Sequence, residues 1–199
     1  MTFDEIRRDV YGRFPSTPGG MPFPEGRGSD MLLHLPVLEW FASHCRHCTE
    51  FGVREGHSTV ALLSGCRGRV VSYDIMPSLG VERLRRSAPP CEWVFRQANT
   101  VDSALHIEPT DLILFDTVHT YDHLRTELSL HGLKARRYLV FHDTATNGEG
   151  GPLPGGIGEA EARVSPLTSC MLMKGAEALS ATSYTLHTWG WSTRAWARA

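Results

Sequence analysis

Thr49-Glu50-Phe51-Gly52-Val53-Arg54-Glu55-Gly56-His57-Ser58-Thr59 is the stretch on which the reading of the fold turns. An acidic residue closes a short apolar run, two glycines follow four positions apart, and a Ser-Thr pair opens a segment of helical character at 58–64. A strand, a glycine turn and a helix start in this order make a ligand cradle. Glycine lets the backbone approach a ligand closely, and the first turn of a helix presents N–H groups that have no partner inside the helix. Gly-x-x-x-Gly is not the Gly-x-Gly-x-x-Gly of dinucleotide sites, and the Gly-Lys-Ser/Thr of a phosphate loop is missing, which argues against NAD and ATP. Taken alone, the two glycines are equally well explained by a tight turn.

Outward from the cradle, short apolar runs end in small or acidic residues and alternate with helical stretches. Strands are expected near 48–51, 70–73, 93–96, 112–115 and 138–141, with helices at 58–64, 78–86, 100–105 and 121–131. Upstream, Ser29 or Asp30 reads as a helix cap, and apolar residues recur at helical intervals from 31 to 43. This rhythm is that of an α/β, doubly wound and mostly parallel sheet with helices on both faces. In such sheets ligands bind outside the carboxyl ends of the strands, where the strand order reverses. Residues just after each strand are therefore the candidates for chemistry.

Asp74 ends the second run, Val70-Val71-Ser72-Tyr73, roughly twenty residues beyond the cradle, where a carboxylate can accept both hydroxyls of a ribose. A turn or cap aspartate is the plainer alternative. Asn99, after the third run, stands where an adenine ring would be held. Asp116 ends the fourth run and His142-Asp143 the fifth, so carboxylates on neighbouring strands can converge on one hard cation such as Mg²⁺. His119, three residues past Asp116, would face the same cleft, and imidazole is well matched to taking a proton near neutral pH. Each of these also has a capping or packing explanation; their appearance at successive strand ends is what sets them apart.

Length and composition narrow the partners. At 199 residues and 41% hydrophobic content the chain suits one domain, and a formal net charge of −2 gives no electrostatic case for nucleic acid or a membrane surface. A small-molecule or sugar partner is expected. Residues 1–28, rich in proline and glycine from 11 onward, read as an N-terminal arm or lid, and 29–199 as the single domain. The start carries no secretory or transit signal and no apolar run reaches membrane-spanning length, so a cytoplasmic location is expected. An arm of this kind can reach across a homodimer. The five cysteines are scattered, and free thiols are expected. Cys45-Arg46-His47-Cys48 has the spacing of a zinc half-site but lacks a second half, and a helix end running into a strand is the simpler reading. The segment 144–158 is a Gly- and Pro-rich loop able to close over a substrate, and the pattern beyond Gly158 is hard to read.

With these motifs in order, 49–59, then Asp116-Thr117-Val118-His119-Thr120-Tyr121, then Phe141-His142-Asp143-Thr144, the chain resembles the class I S-adenosylmethionine-dependent methyltransferases. Within them it is similar to the metal-dependent sugar and antibiotic O-methyltransferases and the cephalosporin-hydroxylase-like proteins. The resemblance covers roughly residues 29–158. It implies a Rossmann-like, seven-stranded sheet and methyl transfer to a hydroxyl, with S-adenosylmethionine and Mg²⁺ as cofactors. It further implies Glu50, Gly52, Gly56 and Ser58 around the methionine part, Asp74 at the ribose, and Asn99 at the adenine. Asp116 and Asp143 would hold the metal, with His142 or Thr144 standing where the family adds a further carboxylate or amide ligand, and Asp116 with His119 would serve catalysis. A non-catalytic S-adenosylmethionine-binding partner protein of a biosynthetic pathway is the alternative that shares this fold.

Overall fold

Five runs of apolar residues pair as parallel strands in a computed structural model that describes residues 1–12, 30–142, 170–174 and 187–188. They are β1 (His47–Phe51), β2 (Arg69–Asp74), β3 (Glu92–Gln97), β4 (Thr110–Phe115) and β5 (Ala135–His142), in the order β3-β2-β1-β4-β5. The helices are α1 (Phe3–Gly12), α2 (Leu35–Ser43), α3 (His57–Gly65), α4 (Leu79–Arg85) and α5 (Tyr121–His131). β1 pairs with β2 on one side and β4 on the other, so the strand order reverses between β1 and β4. Two further segments, β6 (Cys170–Lys174) and β7 (His187–Thr188), follow antiparallel beyond β5. The parallel α/β, Rossmann-like architecture read from the sequence is the observed one.

Helices cover both faces, so the inner strands are apolar on both and read as continuous runs. In β4, Leu112 and Leu114 pack toward α2 and α3, beside Leu38, Phe41, Val60 and Leu63. Ile113 and Phe115 point the other way, into a cluster with Phe51, Tyr73, Leu139 and Phe141 against Leu124 and Leu128 of α5. Cys48 and the alternating Glu50 share the α3 face of β1, which decides the fate of that carboxylate. The four described cysteine thiols at 45, 48, 66 and 91 are free. The C-x-x-C pair spans the end of α2 and the buried start of β1, as the simpler reading has it.

Three local features differ from expectation, each for a physical reason. The segment 31–43 is not one helix: a short 3₁₀ turn at Asp30–Leu33 precedes α2, which restarts with Pro36 in its first turn, where a missing N–H costs nothing. The stretch 100–105 forms turns, because the side chains of Asn99 and Asp102 accept the N–H groups of Val101 (3.2 Å) and Ala104 (2.9 Å) and so compete with a helix. Within the region read as an arm, residues 3–12 form α1, with Phe3, Ile6 and Val10 buried on one face. Its start is a reciprocal capping box between Thr2 and Glu5. Residues 13–29 and the loop expected at 144–158 lie outside the described residues. No helix among the described residues is long and apolar enough to cross a membrane.

Candidate active site

The cradle is built from beneath. Glu50 is completely buried, and its carboxylate accepts the hydroxyls of Ser58 (2.6 Å) and Thr59 (2.8 Å) from α3 and of Ser72 (2.6 Å) from β2. Trp93 Nε1 in turn donates to the Ser72 hydroxyl at 3.0 Å. Burial pushes the Glu50 carboxyl up to about 7 against the pull of the three hydroxyls, with the charge of Asp116 adding to the rise. Glu50 and Ser58 therefore lock α3 to the sheet and do not face the cleft. Gly56 is likewise turned elsewhere: left-handed at φ 79°, it starts α3, and a Cβ there would meet Leu84 at 3.0 Å.

The two residues that shape the cleft wall at this point are Gly52 and Asp74. Gly52 sits at φ 85° so close to the fourth strand's exit that an added Cβ would lie 1.9 Å from the Asp116 carbonyl oxygen. Asp74, at the end of β2, accepts the N–H groups of Val53 (2.8 Å) and Arg54 (3.1 Å) on one oxygen, and that of Met76 (3.3 Å) on the other. Arg54 itself is held at φ 47°, a conformation unfavourable for a side-chain-bearing residue. The acid thus orients the glycine loop across the gap between β1 and β2.

At the reversal point these residues line one cleft of about 230 Å³, together with Tyr73, Ile75, Asn99, Asp116, Val118 and His123. Of the six expected cofactor residues, Gly52, Asp74 and Asn99 are there, and Glu50, Gly56 and Ser58 are not. A larger recess of about 690 Å³ lies between α1 and the ends of α3 and α4, lined by Phe3, Arg7, Ser64 and Ser87, away from this chemistry.

Around Asp116 stands a group of donors, of which His119 and His142 are not among the residues that line the cleft. Asp116 Oδ1 lies 3.4 Å from His119 Nε2 and 3.2 Å from His142 Nδ1. Burial raises the Asp116 carboxyl, but the neighbouring imidazoles of His119 and His142 outweigh it and hold the group well below the usual carboxylate range. Asp116 is pinned through its N–H to the Phe51 carbonyl (2.9 Å), and the Phe115–Phe141 register sets His142 abreast of it. The ring of His34 packs edge-on against His142, centroids 5.4 Å apart.

Sequence reasoning missed the support of this wall. Glu127 of α5 is buried and accepts the hydroxyls of Thr100 and Thr117, while His123 Nε2 lies 3.3 Å from it. Burial, the largest influence, raises its carboxyl. It ties α5 to the loops after β3 and β4, and the i,i+4 spacing of His123 and Glu127 was its only visible signal.

Mg²⁺ wants hard oxygen ligands in octahedral array. Among the described residues, Asp116, His119 and His142 are the one group of three or more such side chains whose ligand atoms fit around an ion, and two of the three are imidazoles. That set does not fit Mg²⁺. Asp143, the other expected ligand, lies outside the described residues.

No family model and no curated protein matches the chain. Solved structures similar to it include the N-methyltransferase NodS from Bradyrhizobium japonicum WM9, with 19% identity over 56% of this chain and 68% of that one, at a TM-score of 0.43. The MycE methyltransferase of the mycinamycin biosynthetic pathway, solved with Mg and SAH, has 21% identity over 73% of this chain and 39% of its own, at 0.49. The O-methyltransferase from Bacillus cereus, solved with SAH, has 19% identity over 73% and 67%, at 0.41. The chain thus spans well under half the length of MycE.

Proposed function

We propose that the chain is an S-adenosylmethionine-dependent O-methyltransferase acting on a hydroxyl of a small molecule or sugar, with His119 as the base. The observation that carries this reading is a cleft at the strand-order reversal lined by Asp74, Asn99 and Asp116, with the His119 imidazole 3.4 Å from the Asp116 carboxylate. After serving three loop amides, Asp74 keeps one of its roughly four acceptor sites, on Oδ1, for a ribose hydroxyl. In this reading the methionine part lies along the Gly52 backbone and the adenine edge meets Asn99, both of which line the cleft. The same reading takes β6 and β7 as the sixth and seventh strands of the sheet, and a homodimer as an assembly its arm can serve.

A methyl group on a sulfonium is already a good electrophile, so the protein's tasks are alignment of the acceptor oxygen and removal of its proton. The oxygen forms its bond to the methyl carbon as the carbon–sulfur bond breaks, leaving the pair of electrons on sulfur. His119 takes the hydroxyl proton, and the Asp116 carboxylate beside it stabilises the resulting imidazolium. No step is derived through Mg²⁺, which the described donors do not fit. A binding module without catalysis has no use for this carboxylate–imidazole pair, so the non-catalytic alternative is not favoured.

Calorimetry with S-adenosylmethionine and S-adenosylhomocysteine tests the cofactor, and a labelled-methyl assay over sugar, catechol and polyketide acceptors tests transfer. His119→Ala is expected to keep cofactor affinity within about twofold while lowering turnover by about 10²-fold or more. Unchanged turnover in that variant refutes the base, and no affinity for either nucleoside refutes the family reading.

A further inference from the structure

We propose that Asp116, His119 and His142 form a binding site for a borderline divalent transition-metal ion of the zinc type, one that discriminates against Mg²⁺. All three ligand atoms lie within 4.8 Å of one another. The spacing is informative. Two N or O ligands on a tetrahedral zinc, each about 2.0–2.1 Å from the ion, stand roughly 3.3–3.4 Å apart. Asp116 Oδ1 is 3.4 Å from His119 Nε2 and 3.2 Å from His142 Nδ1. Both separations exceed the roughly 2.7–2.9 Å of a charge-assisted N–H···O⁻ bond, and both match the edges of a coordination tetrahedron.

Ligand type points the same way. Imidazole suits zinc, iron, nickel and copper, whereas Mg²⁺ prefers carboxylate, carbonyl and water oxygens. The donors also sit on rigid parts of the fold. Asp116 follows β4 directly, His142 is the last residue of β5, and the His34 ring braces His142. Access is graded, with the side chains of His142, Asp116 and His119 exposed by 3%, 23% and 35%, so an ion would be held from the sheet side and reached past His119. Three protein ligands among the described residues are the number an open zinc site uses, where a structural site takes four.

One consequence rests on the methyltransferase reading. A lone pair of His119 Nε2 given to a metal cannot take a proton, so the ion and the base exclude each other and zinc silences transfer.

The test uses the full chain freed of metal by chelation, titrated in a calorimeter with Zn²⁺, Co²⁺ and Mg²⁺, and separately with S-adenosylhomocysteine. One Zn²⁺ per chain is expected, bound at least about a thousandfold more tightly than Mg²⁺, with a visible Co²⁺ spectrum of mixed nitrogen and oxygen ligation. His119→Ala and Asp116→Asn should each weaken Zn²⁺ about a hundredfold with unchanged circular dichroism. His119, the most exposed of the three, keeps the test informative if substitution of the buried His142 prevents folding. Mg²⁺ binding as tightly as Zn²⁺ overturns the proposal, as does Zn²⁺ affinity indifferent to both variants, which would place the ion on the cysteines. Nucleoside binding without zinc binding overturns this inference alone. Zinc binding without nucleoside binding overturns the methyltransferase reading alone.

Discussion

Glu50 shows how much a single buried carboxyl can govern. Burial raises it to about 7, while in the unfolded chain it ionises at its ordinary value of 4.5. Between those values the native protein holds a proton that the unfolded chain has lost, so this group's stabilisation is full below pH 4.5 and is lost as pH rises through 7. The loss amounts to about 3 kcal/mol. Urea unfolding at intervals across pH 4.5–7 should therefore show wild-type stability falling relative to Glu50→Gln, and parallel curves would refute it. Gly52 supports a second prediction. Alanine there needs φ 85° and a Cβ 1.9 Å from the Asp116 carbonyl oxygen, so Gly52→Ala should cost about 3 kcal/mol or more in the same measurement. At this scale the placement of Gly52, Asp74, Asn99 and Asp116 along one cleft was legible, because a residue after a buried strand in a parallel sheet has only one edge to face. Glu50 was not. Its role depends on hydroxyls from α3 and β2, and no local pattern announces that three donors will meet one acid.

The elements themselves were legible where periodicity and sterics agreed. All five parallel strands and the helices α3, α4 and α5 fall where apolar runs and spacings put them, with strand ends at most three residues beyond the apolar runs. The departures came from side chains that compete with the backbone, as Asn99 and Asp102 do, and from proline, as at Pro36. α1 was overlooked because its ten residues are mostly polar, although Thr2-Phe3-Asp4-Glu5 has a capping-box sequence. What holds α1 in place is tertiary. Phe3, Ile6 and Val10 are buried, and Arg7 donates to Ser64 (2.9 Å) and pairs with Glu39 (2.9 Å). A ten-residue helix has little stability alone, so removing its apolar contacts should undo the docking. Ile6→Ala is expected to destabilise by about 2–4 kcal/mol in chemical denaturation, and Arg7→Ala by about 1 kcal/mol or less, since that pair is partly exposed. Equal losses would mean that the ion pair rather than the buried face anchors the helix.

At the scale of the whole molecule, the reversal of strand order between β1 and β4 sets where function can lie, because the two crossovers depart to opposite faces and leave a crevice at the strand ends. The sequence announced the crevice but not its depth, since the segments at 13–29 and 143–169 have too little apolar periodicity to place. Asp74 is the residue through which this geometry is most directly tested. It connects the β2 end to the β1 loop by accepting the Val53 and Arg54 amides, and in the proposed function it is the acid that meets a ribose. Asp74→Asn retains one carbonyl acceptor, so the loop should keep part of its order while the charged acceptor left for a ribose hydroxyl is lost. Affinity for S-adenosylhomocysteine should fall about ten- to a hundredfold, the worth of one charged hydrogen bond. Linkage gives an independent readout. Ligand at a hundred times its dissociation constant should stabilise the wild-type chain by about 2.7 kcal/mol, and at that same concentration should stabilise the variant by only about 0.4–1.4 kcal/mol. An equal shift in both would mean that the nucleoside is held elsewhere, since only a ligand that uses the Asp74 carboxylate can distinguish the two chains by that amount.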